Sequence, residues 1–350
     1  MVNSDRINSL AVVVPKQKAE TVRKFLLSQN LLRFDLRIKV QDDFAFLPIG
    51  DQPSSILNEY SVILTSFEVL VSKPKLHDLL LKALGEEPLP SQSFYSLDAV
   101  GDVGILKVAP KYLSKAKLIA EIIKSNSHYK HIFLKQGAVE GTFRLPKLIL
   151  IAGEKQTEYT AMHQEYGLKI FVDITKTYFN PRLGTEHNHI ASLVSPKEQI
   201  ADLFTGVGPF ALHIARKNPT KIYAVDHNPR AIECLHRSIT INKKRLKGEI
   251  IPICGDARNQ NFSNINRLIM NLPGSALKFL RSSVRYLADS AVIHLYHFDK
   301  DQRNVQKQFI AIVEEEGYTV SYLNCRILRD IAPYVHQFVI DAQIGRVAKN

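Results

Sequence analysis

The sequence predicts an α/β fold with a doubly wound parallel sheet in its C-terminal part. From about residue 196, short apolar strands alternate with segments of helical periodicity, and this alternation produces parallel strands joined by crossover helices. A glycine-rich turn at Gly206 and Gly208 follows the first of these strands. The chain ends with two strand-like segments joined by a short loop, which we expect to pair antiparallel.

The composition is that of a soluble globular protein. Hydrophobic residues make up 45% of the 350 residues and charged residues 23%, which is enough apolar material for two or three domains. No apolar run approaches the roughly 18 residues of a membrane span, and the N-terminus does not have the pattern of a signal peptide. The cysteines Cys234, Cys254 and Cys325 are too widely spaced for a metal pair or a disulfide framework. We therefore expect a reducing, cytoplasmic setting.

We expect three domains: a small N-terminal domain at 1–70, a basic middle domain at 71–195 and the parallel sheet at 196–350. In the first, "LAVVVP", a helix over "KQKAETVRKFLLSQN", "LRIKVQ" and "FAFLPI" form a β-α-β-β unit. The Pro/Ser-rich stretch "GEEPLPSQSFYSL" indicates a break. In the middle domain the strands "VGILKV", "HIFLKQ", "LPKLILIAG" and "LKIFVDI" accompany a lysine-rich helix, which predicts an α+β arrangement.

In the C-terminal domain we predict the strands "IADLFT", "KIYAVD", "EIIPICGD", "RLIMNL" and "AVIHLYHF". The helices between them are predicted to begin near Pro209, Pro229, Ser275 and Asp301. The terminal hairpin consists of "YTVSYLNCRIL" and "VHQFVIDAQI", a feature that nicotinamide-binding sheets usually lack.

The charge favours an anionic partner. The formal net charge is +12, and ten Lys/Arg face only three Glu between Lys107 and Lys155. Leu235–Lys247 holds five basic residues and no acid. Nucleic acid is the leading partner, and a basic solvated surface is the alternative.

The glycine turn predicts a nucleoside site. Gly206, Gly208 and Ala211 satisfy the G-x-G-x-x-A pattern, and Asp226 ends the second strand twenty residues after Gly206, where a carboxylate accepts from ribose hydroxyls. These features do not separate NAD from S-adenosylmethionine, and a purely structural turn is the alternative. Asp256, after the third strand, either accepts from an adenine amine or caps a helix.

Polar residues near the same sheet edge suggest chemistry on a base. Asn271 ends the fourth strand, and Pro273 fixes the chain behind it, so the amide is expected to face a planar hydrogen-bonding group. In "YFNPRLGTEH", Glu186 is a candidate general base, and Arg144 in "GTFRLPK" is a candidate to stabilise negative charge on an oxygen. A simple turn and surface salt bridges are the alternatives. No metal site is expected, because His187 and His189 lack a helical ligand spacing.

Together the motifs resemble the archaeal/eukaryotic-type tRNA (guanine-N1)-methyltransferase family, which methylates the guanine on the 3′ side of the anticodon. The segments "FRLPK", "FNPRLGTEH", "DLFTGVGPF", "VDHNPRAI", "GDAR", "MNLP" and "APYVHQFVID" occur in the family's order over nearly the whole chain. The resemblance implies a Rossmann-like (class I) methyltransferase sheet, and S-adenosylmethionine as cofactor. It also implies a monomer whose N-terminal domain contacts the outer corner of tRNA and whose middle domain contacts the anticodon stem-loop.

The resemblance also implies roles for individual residues. The base maps onto Glu186 and the oxyanion-stabilising arginine onto Arg144, and the Asn-Leu-Pro motif adds Asn271 and Pro273 to the catalytic set. His187 departs from the family, in which some relatives carry Arg. The implied cofactor contacts are Tyr178, His187, Asp202, Phe204, Gly206, Gly208, Asp226, His227, Asp256, Ala257 and Asn271.

Other functions remain open from the sequence. An aminocarboxypropyltransferase of the wyosine pathway shares the fold and cofactor, and some relatives methylate a wyosine-pathway guanine derivative on carbon. A non-catalytic RNA-binding module on a Rossmann scaffold is the alternative from another class. An NAD oxidoreductase is disfavoured because no residue set supplies a hydride-partner site.

Overall fold

The computed structural model describes residues 6–50, 59–69, 75–85 and 94–347, without the side chains of residues 138–140. The chain divides into two compact units, residues 1–79 and 80–350. None of the helices in the described ranges is long and apolar enough to cross a membrane.

The first unit contains a four-stranded sheet with the order β2-β3-β1-β4. Its elements are β1 (Arg6–Pro15), α1 (Ala19–Ser28), β2 (Lys39–Gln41), β3 (Phe44–Ile49) and β4 (Ser61–Glu68). Alternate residues of β1, Val12 and Val14, point to one face and pack with Val22 and Leu26 of the helix. The predicted β-α-β-β unit is present, and β4 adds a fourth strand.

The second unit begins with a mixed sheet of order β5-β6-β7-β8, in which only β6 and β7 are parallel because α3 crosses between them. Helix α2 (Leu76–Leu84) contains the division between the two units. The elements of this sheet and its crossover are β5 (Tyr95–Val100), β6 (Val103–Val108), α3 (Ala116–Ser125), β7 (His131–Glu140) and β8 (Leu145–Ala152). The predicted break is wrong at its end, because β5 starts inside "GEEPLPSQSFYSL".

A separate hairpin follows, made of β9 (Thr160–Glu165) and β10 (Leu168–Asp173). The sequence predicted β10 in "LKIFVDI" but did not predict β9. The hairpin docks on helix α6 (Pro229–Asn242): the backbone N–H of Phe171 donates to Ser238 Oγ at 2.9 Å, and that of Lys169 donates to Asn242 Oδ1 at 3.0 Å. Since buried backbone groups need partners, these bonds fix the hairpin against the C-terminal sheet.

The C-terminal sheet has seven strands in the order β13-β12-β11-β14-β15-β17-β16. The first five are parallel, and β17 pairs antiparallel with β15 and β16. The predicted doubly wound sheet with a terminal antiparallel hairpin is therefore confirmed. Its remaining elements are α4 (Gly184–Ser192), β11 (Gln199–Asp202), α5 (Pro209–Lys217), β12 (Lys221–Asp226), β13 (Glu249–Cys254), β14 (Ile265–Met270), α7 (Ala276–Val284), β15 (Leu287–Asp299), α8 (Gln302–Glu315), β16 (Tyr318–Ala332) and β17 (Val335–Arg346).

The strand order places a topological switch point beside β11. The chain runs from β11 to β12 on one side and later returns to β14 on the other, and ligands of such folds bind where the connections diverge, outside the carboxyl ends of the strands. The sheet interior is a continuous apolar layer that includes Ile200, Ile222 and Ile269, as expected for strands covered on both faces. This rigid layer positions the loops at the edge.

Candidate active site

A cavity of about 630 Å³ lies at the carboxyl ends of β11, β12, β13 and β14, a size within the range of ligand pockets. Ten of the residues predicted for the site line it: Arg144, Tyr178, Phe204, Gly206, Asp226, His227, Asp256, Ala257, Asn271 and Pro273. The other four, Glu186, His187, Asp202 and Gly208, do not.

Asp226 ties the glycine turn to the end of the second strand. Its Oδ2 accepts the backbone N–H of Gly206 at 2.7 Å, and its Oδ1 accepts that of Asn228 at 2.8 Å. Burial raises the pKa of Asp226, and the hydrogen bonds from Asn228 and Gly206 offset only part of that effect. Each oxygen keeps a second acceptor site, so the carboxylate can still receive hydroxyl groups from a ligand.

The two glycines of the turn have different roles. Both have positive φ, +56° at Gly206 and +82° at Gly208, which side chains other than glycine rarely adopt. Gly206 lines the cavity, whereas a Cβ on Gly208 would lie 2.3 Å from Cδ1 of the buried Leu235. Gly208 is the N-cap residue of α5 and packs against Leu235 of α6. It does not line the cavity.

Asp202 is buried beneath the turn instead of facing the cavity. Its Oδ2 accepts the hydroxyl of Thr205 at 2.7 Å, and its Oδ1 has no hydrogen-bond partner among the described residues. Burial raises its pKa to about 7, despite the hydrogen bond from Thr205, and the nearby Asp226 charge contributes in the same direction. We expected Asp202 to contact the cofactor directly, but it is buried and does not line the cavity.

Asp256 both lines the cavity and caps a short turn. Its Oδ1 accepts the backbone N–H of Arg258 at 2.8 Å, and its Oδ2 pairs with the Arg258 guanidinium at 2.6 Å. These contacts lower the pKa of Asp256 to about 2. Asp256 therefore caps the short helical turn, as the second alternative predicted. It also lines the cavity beside Ala257.

Aromatic rings form much of the wall. Phe204 contacts Phe279 edge to face, with centroids 5.1 Å apart, and Phe143 lies 5.8 Å from the His227 ring. Tyr178 also lines the cavity and is 37% exposed. Such rings offer flat apolar faces for purines. The sequence analysis did not single out several lining residues, because residue type alone does not show which way a side chain points, even inside the quoted segments: Phe143, Phe279, Phe298, Arg329 and Gln337.

Arg144 and Asn271 bring unpaired polar groups to this wall. Arg144 stands in the turn between β7 and β8 with φ +52°, and its guanidinium nitrogens lie 3.8 Å from the position of a Cβ on Gly274. Neither its guanidinium nor the Asn271 amide makes a hydrogen bond or ion pair with the described residues. Pro273 holds this wall in place, since its carbonyl accepts the Phe298 N–H at 3.0 Å. The cavity therefore presents a free cation and a free amide to a ligand.

Glu186 lies behind the cavity wall. It is 6% exposed, and its Oε1 accepts the Tyr296 hydroxyl at 2.7 Å and an Arg326 N–H at 2.6 Å. Burial and the Glu186 charge raise the pKa of Tyr296 well above its usual range. The Tyr296 hydroxyl therefore stays protonated and donates its hydrogen bond to Glu186. Tyr296 and the lining residue Phe298 are two positions apart on β15 and face the same side.

The partners of Glu186 belong to a longer polar network that the sequence did not reveal. Arg326 Nε lies 3.3 Å from Asp341 Oδ2, and Asp341 Oδ1 lies 2.7 Å from His294 Nδ1. Arg326 stands on β16 and Asp341 on β17, so the terminal hairpin supplies both. Such a network restrains the Glu186 carboxylate through Oε1 and leaves Oε2 without a partner in the described chain.

His187 points away from the cavity, contrary to its expected cofactor contact. Its Nδ1 lies 2.9 Å from Glu165 Oε2, and His213 Nε2 lies 3.0 Å from the same oxygen. Burial acts to raise the pKa of Glu165, but the hydrogen bonds of the two imidazoles outweigh it and hold the pKa at about 2. His189, two residues later, is exposed, because successive helical residues point in different directions.

We predict that Gly208→Ala lowers the free energy of unfolding by about 2–5 kcal/mol, since it combines left-handed strain with overpacking. Gly317→Ala is the matched control: its φ is +80°, but nothing lies within 4 Å of the added Cβ, so about 1–2 kcal/mol is expected. Urea denaturation of both variants measures the difference. Equal losses would contradict the packing role of Gly208.

We predict that Asp202→Asn stabilises the protein more at pH 8 than at pH 5. The folded pKa of about 7 lies above the unfolded value of 3.8, so the wild-type protein loses stability as pH rises between these values. Asparagine does not titrate and can still accept from Thr205. Urea denaturation should show that the variant exceeds the wild-type free energy of unfolding by on the order of 2 kcal/mol more at pH 8 than at pH 5. A difference that does not depend on pH would refute the raised pKa of Asp202.

Sequence models of three domain families match the chain. The tRNA methyltransferase 5 N-terminal domain matches residues 11–57, the TYW2 N-terminal domain matches 76–157 and the TRM5/TYW2 methyltransferase domain matches 161–321. These ranges do not test the expected boundaries at 70 and 195, which stay predictions.

Known proteins are similar over nearly the full length. The chain is 35% identical over 347 residues to tRNA (guanine(37)-N(1))-methyltransferase Trm5b of Methanocaldococcus jannaschii, covering 96% of this chain and 99% of the relative. A solved complex of aTrm5 and tRNALeu is 32% identical with a TM-score of 0.74, covering 95% and 99%. M. jannaschii Trm5 in complex with adenosine is 31% identical with a TM-score of 0.62, covering 97% and 100%. The resemblance inferred from the motifs is thus confirmed, and the chain belongs to the TRM5/TYW2 methyltransferase family.

Proposed function

We propose that this protein transfers a methyl group from S-adenosylmethionine to N1 of the guanine at position 37 of tRNA, on the 3′ side of the anticodon. The observation that carries the proposal is the composition of one cavity. The cavity is lined by Asp226, whose carboxylate can accept from ribose hydroxyls, and by the unpaired polar groups of Arg144 and Asn271. One part suits a nucleoside cofactor, and the other suits the polar edge of a base.

The residues present fit the cofactor. Asp226 would accept the ribose hydroxyls, and the Gly206 backbone allows close approach, as in related sheets. Phe204, Ala257 and Asp256 would border the adenine, with apolar surface and an acceptor for its amine. When bound, the cofactor supplies a methyl group that its sulfonium already makes electrophilic. The protein therefore has to orient the base and remove its proton.

Three side chains are assigned to the base. The Arg144 guanidinium donates to guanine O6 and favours negative charge there. The Asn271 amide hydrogen-bonds the base edge, and Glu186 Oε2 accepts the N1 proton. Because Glu186 does not line the cavity, its carboxylate and the flipped base have to approach each other before the proton moves. Arg326 and Tyr296 are positioning residues, since they contact Oε1 and leave Oε2 for the proton.

The exposed charge supports tRNA as the substrate. Lys107, Lys111, Lys117 and Lys147 are all exposed in the sheet β5–β8 and its connections, where they can neutralise phosphates. We assign the middle domain, 71–195, to the anticodon stem-loop, the N-terminal domain, 1–70, to the outer corner, and catalysis to 196–350. We further propose a monomer in the cytoplasm, where reduced Cys234 and Cys325 would persist.

A second candidate is transfer of an aminocarboxypropyl group from the same cofactor to a wyosine-pathway guanine. The match of residues 76–157 to the TYW2 N-terminal domain favours it. The match of residues 11–57 to the tRNA methyltransferase 5 N-terminal domain favours methyl transfer, and so does the presence of a carboxylate beside the cavity that can take the N1 proton.

The proposal is tested by incubating an unmodified tRNA transcript that carries G37 with the protein and S-adenosylmethionine, followed by mass spectrometry of the nucleosides. We expect 1-methylguanosine, which disappears when G37 is replaced by A. A nucleoside carrying the aminocarboxypropyl group would support the second candidate. Absence of any modified nucleoside, together with failure to bind S-adenosylmethionine in calorimetry, would support a non-catalytic RNA-binding module.

We predict that Glu186→Gln lowers the rate of methyl transfer by roughly 10²–10⁴-fold, the usual contribution of a general base. The amide oxygen can still accept from Tyr296 and Arg326, so the fold and the dissociation constant of S-adenosylmethionine should change little. Single-turnover kinetics measures the first effect, and calorimetry measures the second.

Glu314→Gln is the matched control, because Glu314 is an exposed carboxylate on helix α8. Its rate should equal that of the wild-type protein. A Glu186→Gln variant that retains full activity would remove Glu186 from the chemistry, even if the protein still forms 1-methylguanosine.

A further inference from the structure

Four side chains from three separate elements form a buried cluster outside the cavity. Glu165 and His163 stand on β9, His187 on α4 and His213 on α5. Glu165, His187 and His213 are all buried, and the ligand-type atoms of these three lie within 4.8 Å of one another. Throughout, "the Glu165 cluster" means these four residues.

The spacing of the Glu165 cluster fits a tetrahedral ion. Glu165 Oε2 lies 2.9 Å from His187 Nδ1 and 3.0 Å from His213 Nε2, and Glu165 Oε1 lies 3.6 Å from His163 Nε2. A tetrahedral zinc site with arms of about 2.0–2.1 Å has edges of about 3.3–3.4 Å between its ligand atoms. The distances of His187 and His213 to Oε2 lie within about half an ångström of that edge, and these two imidazoles and Glu165 form the compact part of the cluster.

Hydrogen bonds do not account for the whole cluster. Both short contacts from His187 and His213 converge on Oε2, and the buried Oε1 has no hydrogen-bond partner in the described chain. His163 Nε2 lies 3.6 Å from Oε1, which is beyond hydrogen-bond distance. A buried carboxylate oxygen without a partner costs free energy, and a cation between the two groups would satisfy it.

The ligand types select the ion. Imidazole nitrogen with one carboxylate suits zinc, whereas magnesium and calcium require mainly oxygen ligands. Glu165, His187 and His213 supply three coordination positions, and His163, 3.6 Å from Oε1, is the candidate for the fourth. The burial of Glu165, His187 and His213 leaves no route for a substrate. The arrangement is that of a closed structural site.

We propose that the Glu165 cluster binds one Zn²⁺ and that this ion fastens β9, α4 and α5 together. The link joins residues that are 22 to 50 positions apart in the chain. It would hold α4, whose Glu186 precedes the ligand His187, and α5, which follows the glycine turn. The ion has a structural role and stands apart from the methyl-transfer chemistry.

The test uses the full chain, purified without a histidine tag or a metal column. Elemental analysis should find about one zinc per chain. Removal of zinc with a strong chelator should lower the melting temperature, and zinc should restore it in a concentration-dependent manner. Cobalt(II) added to the zinc-free protein should give the d–d absorption bands of a tetrahedral nitrogen/oxygen site.

His213→Gln should abolish the bound zinc and the response to added metal, whereas His189→Gln should leave both unchanged. His189 is the matched control, because it is an exposed histidine of the same helix as His187. The wild-type measurements decide the matter even if His213→Gln fails to fold. Substoichiometric zinc, no change in melting temperature on chelation or metal addition, and no cobalt bands would overturn the proposal.

Discussion

The site depends on the parallel pairing of β11 with β12 on one side and β14 on the other. In this register Asp202 lies opposite Ala224 and Ile269, so the three strands end at the same edge, with adjacent strands about 4.8 Å apart. The glycine turn, Asp226 and Asn271 must then border one space. The hydrogen bond from the Gly206 N–H to Asp226 closes this edge and fixes the turn.

The sequence predicted the parts of the fold that local chemistry specifies. Asn228 and Asp301 cap α6 and α8 by accepting backbone N–H groups two residues later, and such capping residues mark helix starts. Apolar runs that end in a polar residue identified β12 and β14. Since the carboxyl edge collects strand-end residues, the lining roles of Asp226, Asp256 and Asn271 followed from position alone.

Distant pairings and side-chain direction were beyond the sequence. Glu186 and Arg326 are 140 residues apart, and His213 lies 48 residues from Glu165, so no local pattern joins them. His187 follows Glu186 directly, but one helical step of about 100° turns it to another face. Asp202 ends its strand as Asp226 does, yet burial under Thr205 removes it from the cavity. These positions depend on packing, which motif order does not encode.

The proposed methyl transfer requires that the cavity at the carboxyl edge holds the cofactor, with the base-binding groups beside it. A crystal structure of the full chain with S-adenosylhomocysteine is the decisive measurement. We expect ribose hydroxyls within hydrogen-bond distance of the Asp226 carboxylate, and the sulfur directed toward Arg144 and Asn271. A ligand bound elsewhere, or one that leaves Asp226 without a contact, would contradict it.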